Sequence, residues 1–444
     1  MVDLTVFREN GRINLDVAIS KGKVKKGKPE RKGAREKFWC NNNDFLYKTI
    51  FENSYEDFAE LIAYELAIIF GIESAKYDLA TYENNKGLIT ENIVKDNSGN
   101  IELVSGTDII NIVFEQHIKP LQNIYNSYID ILSKSNLDKN FENYECLSRN
   151  TKNILLNKLY LLYKESNISS VYIETLEIVN INKLTDIEIK KYFEKFKTIM
   201  DEIEILFNYN ENECCNGIIK GNNLFDLWYI VEKYCDLNGY TFDKNNHPIK
   251  VLINYFIFDI ITSQGDRHAD NWSIIVDHNT NSVKISPLYD NSNICNLNRS
   301  KTINSIKEYI DLLTKTKLND IKKERIKERI AKSINHSTIG LKLNPEDIGS
   351  KEKNVKQIKD FIQITDFEQL EEIVIRIKKI EEQLDNVFLN IENKIGIEIP
   401  EIVKVVVSYT LKNNIELFLN CYEEDKRRRK LWMNLNYLFI RMLT

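Results

Sequence analysis

The sequence predicts an α+β protein, with a small sheet-rich N-terminal part, a larger and mainly helical remainder, and a helical C-terminal extension. Three observations carry this. Two hairpin patterns, at residues 38–50 and 77–94, flank one strongly periodic helix within the first ninety or so residues. Helical periodicity dominates from about residue 106 to 262, and after Asn298 the chain is again helical and charged to its end. The boundaries drawn from these shifts are residues 1–95, 96–300 and 301–444.

Taken in order, residues 21–37 ("KGKVKKGKPERKGAREK") hold nine Lys or Arg side chains and three glycines. They offer little to bury and are expected to form a positively charged loop. "FWCNNNDFLYKTI" follows at 38–50, two short strands around a turn of three asparagines and Asp44. "SYEDFAELIAYELAIIFGI" sets Phe58, Leu61, Ile62, Leu66 and Ile69 on one helical face, with acids in its first turn and Gly71 at its stop. "YDLATYENNKGLITENIV" alternates around an Asn-Asn-Lys-Gly turn as a second hairpin. Much later, the very apolar "VLINYFIFDIITS" reads as a buried helix delivering the chain into Gly265. A polar break interrupts the C-terminal helices at "NPEDIGSKEKN", residues 344–354.

Composition narrows the function classes. A net charge of −5 over 444 residues lacks the basic footprint of a dedicated nucleic-acid binder. The basic runs at 21–37 and "KRRRK" at 426–430 are read first as solvated faces. Seven scattered cysteines without a CxxC pair fit neither a disulfide framework nor a zinc site, and point to a reducing compartment. No signal-peptide core and no run of eighteen apolar residues occurs, so the expected location is cytoplasmic, with no membrane span.

The chemistry concentrates in "SQGDRHADNWSIIVDHNTNSVKISPLYDNSN", residues 263–293. In protein kinases a loop Asp orients the attacking hydroxyl, an Asn five residues later holds magnesium, and a further Asp bridges metal and phosphates. "GDRHADN" has that Asp-to-Asn step in Asp266 and Asn271. Strands over 272–276 and 283–288, joined by "DHNTNS", form a hairpin whose open ends would make Asn271 and Asp290 neighbours. Oxygen-only ligands suit magnesium. His268 is placed to hydrogen-bond the loop backbone or Asp266, and Asp270 reads as a cap or a surface residue. A phosphate site also needs a cation. Lys48 shares a strand face with Leu46, an apolar setting in which a lysine either snorkels or is paired. Two acids of the following helix compete as its partner: Glu65 near the apolar face, and Glu60 toward Ala59, Ala63 and Ala67.

"GAREK", "FLYK", "AELIAYELAIIFGI", "GDRHADNWSI" and "ISPLYDNS" follow one another in an order and context that resembles the HipA-like serine/threonine kinases, including their compact CtkA-type members. The ordered motifs span about the first three hundred residues. The resemblance implies a bilobal protein-kinase-like fold and dependence on ATP and Mg2+. It implies a phosphate loop at Gly33, Ala34, Arg35 and Lys37, an ATP-phosphate lysine at Lys48 with Glu60 as its helix partner, and an adenine site near Glu91. Asp266 would be the catalytic Asp, with His268 in the catalytic loop, and Asn271 and Asp290 the magnesium ligands. A protein substrate and an antitoxin or other regulatory protein would be the partners. The chain departs from the family where a regulatory serine, three residues before the loop glycine, is replaced by Glu30; Asp290 is followed by Asn291, which is normal for HipA-like proteins and unlike the glycine of ordinary protein kinases. "DRHADN" is similar to the catalytic loop of phosphoinositide kinases as well, which keeps a lipid kinase as an alternative beside a nucleotide-binding pseudokinase or interaction module.

Overall fold

The computed structural model describes residues 3–29, 35–94, 99–138, 144–165, 184–211, 224–242, 247–315 and 351–443, with 322, 325, 328 and 329. The protein is α+β, sheet-rich in its N-terminal part and mostly helical beyond it. It divides into two compact units: Met1–Gly106, Gly221–Tyr229 and Gly239–Thr444 form one, and Thr107–Lys220 with Ile230–Asn238 forms the other.

In the first unit, β1 (Arg8–Glu9), β2 (Arg12–Asn14), β3 (Lys26–Pro29), β4 (Lys37–Cys40), β5 (Phe45–Thr49), β6 (Tyr77–Tyr82) and β7 (Asn85–Glu91) form one sheet in the order β1-β2-β6-β7-β5-β4-β3. The β4–β5 hairpin turns through Asn41, Asn42 and Asn43, all at positive φ, a conformation asparagine tolerates better than most residues. Helix α1 (Leu15–Ser20) and one sheet face enclose Phe38, Phe45, Tyr47, Ala80 and Ile89.

Two expectations need correction here. The charged stretch 21–37 contains a strand, β3, at the sheet edge against β4. Lysine-rich edges discourage further strand pairing, and the Lys26 ammonium lies 4.6 Å and 4.4 Å from the rings of Phe38 and Tyr82, so its stem has something to cover. The second hairpin turns at Glu83 and Asn84, both at positive φ, one residue ahead of the anticipated Asn-Asn-Lys-Gly. A two-residue turn of this hand matches the strand twist. Gly87 lies inside β7, where a Cβ would meet the Tyr47 ring and the Lys48 carbonyl at 2.6 Å.

Helix α2 (Glu56–Phe70) forms as expected and stops at Gly71, φ +79°. It packs on β6. The second sheet of this unit runs β8-β10-β11-β9, from β8 (Ile101–Ser105), β9 (Thr241–Phe242), β10 (Ser273–Asp277) and β11 (Ser282–Ile285). The β10–β11 hairpin is present, paired from Ile274↔Ile285 to Asp277↔Ser282.

Helices α3 (Gly106–Val113), α4 (Lys119–Ser133), α5 (Arg149–Glu165), α6 (Asp186–Glu211) and α7 (Leu224–Asn238) follow β8. The second unit buries Leu121, Tyr128, Leu156 and Phe196 in its own core. Helix α8 (Pro248–Thr262) is the expected apolar helix; from Tyr255 to Thr262 every residue is buried. Beyond the hairpin come α9 (Ser300–Lys315), α10 (Lys351–Ile364), α11 (Phe367–Ile395) and α12 (Glu401–Leu443). Of the break expected at 344–354, the first seven residues lie outside the described ones and the last four open α10. Helix α11 packs on α2 and α12 on α8. Among the described residues no helix is long and apolar enough to cross a membrane, and the cysteines are unpaired.

Candidate active site

Alternation along β5 sends Lys48 to the sheet face away from the Phe45 and Tyr47 cluster. There its ammonium lies 2.5 Å from Asp290 Oδ1 and 3.7 Å from Glu60 Oε1. Residues 242 positions apart thus share one contact. Glu60, and not Glu65, is the helix partner, because its place on α2 faces the sheet. Burial works against the Lys48 cation, yet Asp290 and Glu60 outweigh it and hold the pKa above the ordinary value. For Asp290 burial also opposes ionisation, and Lys48 overrides it, keeping the carboxylate well below its usual range. Glu60 is fully enclosed, and burial lifts it to about 7 despite Lys48. Its Oε2 accepts the Asn291 N–H at 2.8 Å, while Oε1 has no hydrogen-bond partner among the described residues.

Lys37 is the direct cross-strand partner of Lys48, so two lysines stand side by side on this face. Like charges opposite one another destabilise a sheet unless anions answer them, and both lower the pKa of Asp290.

Asp290 reaches Lys48 because the strand leaving the β10–β11 hairpin docks beside residues 73–75. Leu288 N–H donates to the Glu73 carbonyl at 2.8 Å, and Ala75 N–H to the Leu288 carbonyl at 2.7 Å. The Asp290 backbone adopts φ +53°, and Gln264 Nε2 donates to its carbonyl at 3.2 Å.

The two open ends of the hairpin are joined through Arg267. Its guanidinium is fully buried, bonds Asp259 of α8 through Nε (3.2 Å) and Nη2 (2.9 Å), and donates from Nη1 to the carbonyls of Asn271 (3.2 Å) and Tyr289 (3.1 Å). Nη2 also reaches Asn291 Oδ1 at 2.8 Å. A planar fork with five donors suits this task, which a lysine would not perform.

Asp266 and His268 are half exposed, with His268 Nε2 3.7 Å from Asp266 Oδ1. His268 Nδ1 accepts the Asp270 N–H and so caps the 3-10 turn Ala269–Asn271. Asn271 is buried, and its side-chain nitrogen donates to the Asp266 carbonyl, which turns Oδ1 into the available atom.

The remaining anticipated residues are placed differently. Gly33, Ala34 and Glu30 lie outside the described residues. Arg35 bonds Glu56 Oε1 at 2.7 Å and lies 4.3 Å over the Phe51 ring. Glu91 pairs with Phe45 in the sheet, so its side chain falls on the face opposite Lys48. It lines a cavity of about 560 Å3 with Asp3, Arg8, Asp78 and Lys394. The strand offers Leu88 and Thr90, not the Glu91 carboxylate, on the Lys48 side.

Reading the motif alone missed Arg267, Asp259 and Gly106. A lone Asp inside the apolar "FIFDII" was the available signal: a buried carboxylate requires a cation, and Arg267 is eight residues on. Gly106 had none. A Cβ there would meet the Ala269 carbonyl and the Trp272 ring at 2.4 Å, which is how β8 approaches the Asn271 turn.

The donors fit a hard divalent cation. Asn271 Oδ1 and the Asp290 carboxylate are oxygens, and Lys48 engages Oδ1 of Asp290 while Oδ2 has no protein partner among the described residues. No group of three or more His, Cys, Asp or Glu side chains suited to a metal occurs among the described residues, so magnesium here would share its shell with substrate oxygens.

No protein-family model matches the chain, and no curated protein matches it. Among solved structures it is similar to the Helicobacter pylori proinflammatory kinase CtkA, at 14% identity and a TM-score of 0.38, over 88% of this chain and 95% of that one. It is also similar to HipA from the Shewanella oneidensis MR-1 toxin–antitoxin complex of HipA, HipB and operator DNA, at 11% identity and a TM-score of 0.40, over 92% of this chain and 71% of that one. Likeness at this level leaves the chemistry to be read from the side chains themselves.

Proposed function

We propose that this chain is an ATP- and Mg2+-dependent kinase of bilobal, HipA-like arrangement. Its small lobe would comprise residues 1–95, and its large lobe residues 96–300 with the helical part 301–444. The observation that carries the reading is the Lys48–Glu60–Asp290 contact, which places one buried lysine between a helix carboxylate and the acid that follows the hairpin.

Each group then has work to do. Glu60 orients Lys48, whose ammonium, with Lys37 alongside, neutralises nucleotide phosphate oxygens. In the ligand-free protein Asp290 occupies Lys48, and phosphate would compete for that cation. Asn271 Oδ1 and Asp290 would hold magnesium, which supplies charge neutralisation at the phosphates. Asp266, half exposed, is free to approach a substrate hydroxyl, orient it and accept its proton. Arg267 fixes the backbone of this loop against the segment bearing Asp290. The motif resemblance extends the proposal to a Ser/Thr hydroxyl of a protein as acceptor, and to an antitoxin or other regulatory protein as partner.

Incubation with γ-labelled ATP, magnesium and a cell lysate tests this reading. Label should appear in protein and vanish with excess EDTA. Label in lipid would move the acceptor to the phosphoinositide-like alternative, and no transfer with intact nucleotide binding would favour a pseudokinase.

A further inference from the structure

Glu56 opens α2 one turn before Glu60, and its carboxylate is completely enclosed. A buried carboxylate needs partners. Glu56 finds them in Arg35 Nη2 at 2.7 Å and in the Phe51 N–H at 3.5 Å, while the Arg35 guanidinium lies over the Phe51 ring at 4.3 Å. Arg35 stands just before β4, whose first residue, Lys37, pairs directly with Lys48.

Residues 56 and 60 are i,i+4 neighbours and share one helix face. Along that face Glu56 grips the segment entering β4, and Glu60 faces Lys48 and accepts the Asn291 N–H. The two buried carboxylates therefore connect three pieces of chain to one helix: the approach to β4, the Lys48 strand, and the segment after Asp290. Arg35 Nη1 is buried and makes no hydrogen bond among the described residues, so Glu56 occupies only part of the fork.

We propose that Glu56 is a positioning residue for phosphate binding: through Arg35 it locks the segment before β4 to α2, so that Arg35, Lys37 and Lys48 are presented to a phosphate as one rigid cationic group. The inference rests on the kinase reading above. Apolar packing would stabilise this junction equally well, since buried ion pairs add little net stability; what the pair supplies is a fixed angle between the segment and the helix.

The test measures KM for ATP, kcat and the affinity for Mg·ATP by calorimetry in the wild type, Glu56→Gln, Glu56→Asp, Arg35→Lys and Arg35→Ala. Glu56→Gln keeps the volume and should raise KM and the dissociation constant on the order of tenfold, the loss expected of one charge-assisted hydrogen bond, with kcat changed much less. Arg35→Lys should resemble it, because the planar fork and the stacking are lost. Glu56→Asp keeps the carboxylate and should recover part of the loss, which a generally loosened fold would not do. Arg35→Ala sits on a partly exposed residue and serves if Glu56→Gln fails to fold. A wild type that neither binds Mg·ATP nor transfers phosphate overturns the kinase reading, and this inference with it. An active wild type whose folded Glu56→Gln and Arg35→Ala variants keep its KM and affinity overturns the positioning role alone.

Discussion

Lys48 is the residue on which the charges of the site balance. It is buried between two carboxylates, one of them fully enclosed. Lys48→Ala should abolish phosphoryl transfer by orders of magnitude and lower stability by about 1–3 kcal/mol, since Glu60 and Asp290 lose their cation; a transfer assay and urea unfolding measure the two effects separately. Arg267 predicts a purely structural counterpart. Asp259→Asn leaves its guanidinium buried without a counter-charge and should cost about 3–5 kcal/mol. Glu60 contributes a pH dependence of definite sign. The unfolded chain releases this proton near 4.5, whereas the folded, ligand-free protein holds it to about 7. Stability attributable to this group therefore falls as pH rises between those values and stays low above them. Melting temperature against pH should show a shallower fall in Glu60→Gln. At this scale the Lys48–Glu60 pair was legible from the apolar strand setting of the lysine and the place of the acid on its helix, whereas the roles given to Asp266, Asn271 and Asp290 are proposed from motif spacing. Glu91 was misjudged because strand alternation, not proximity in sequence, decides which face a side chain takes.

Among the elements, helix α2 and the β10–β11 hairpin were readable, the first from its periodicity and glycine stop, the second from alternating apolar residues about a polar turn. Strands β8 and β9 were not. They have five and two residues and exist through pairing with β10 and β11, partners far away in sequence. The β6–β7 turn was misplaced because Gly87 looked like a turn residue, whereas it is needed where the Tyr47 ring crosses the strand. The true turn puts Glu83 at φ +50°. Glu83→Gly should therefore stabilise the protein by about 0.5–1 kcal/mol through relief of that conformation, read as a rise in the urea midpoint without a change in slope.

For the whole molecule, the C-terminal helices were visible as helices, but not for what they touch. Asn414 of α12 donates to the carbonyls of Ile260 and Ile261 and to Ser263 Oγ, at 3.1, 3.0 and 2.8 Å, and so caps the end of α8 that leads into the Asp266 loop. Arg429, in the basic run read from sequence as a solvated face, is engaged by Asp425 and by the carbonyls of Ile362 and Thr365. Apart from the Arg429–Asp425 pair, these contacts join positions more than sixty residues apart in the chain, and no local pattern announces them.

In the proposed kinase Asp266 performs the chemistry while Asn271 and Asp290 hold the metal-bound nucleotide. The most direct measurement pairs Mg·ATP calorimetry with γ-phosphate transfer in Asp266→Asn, beside the wild type. The variant should bind Mg·ATP with nearly wild-type affinity and transfer no phosphate. Wild-type transfer by Asp266→Asn would contradict that assignment.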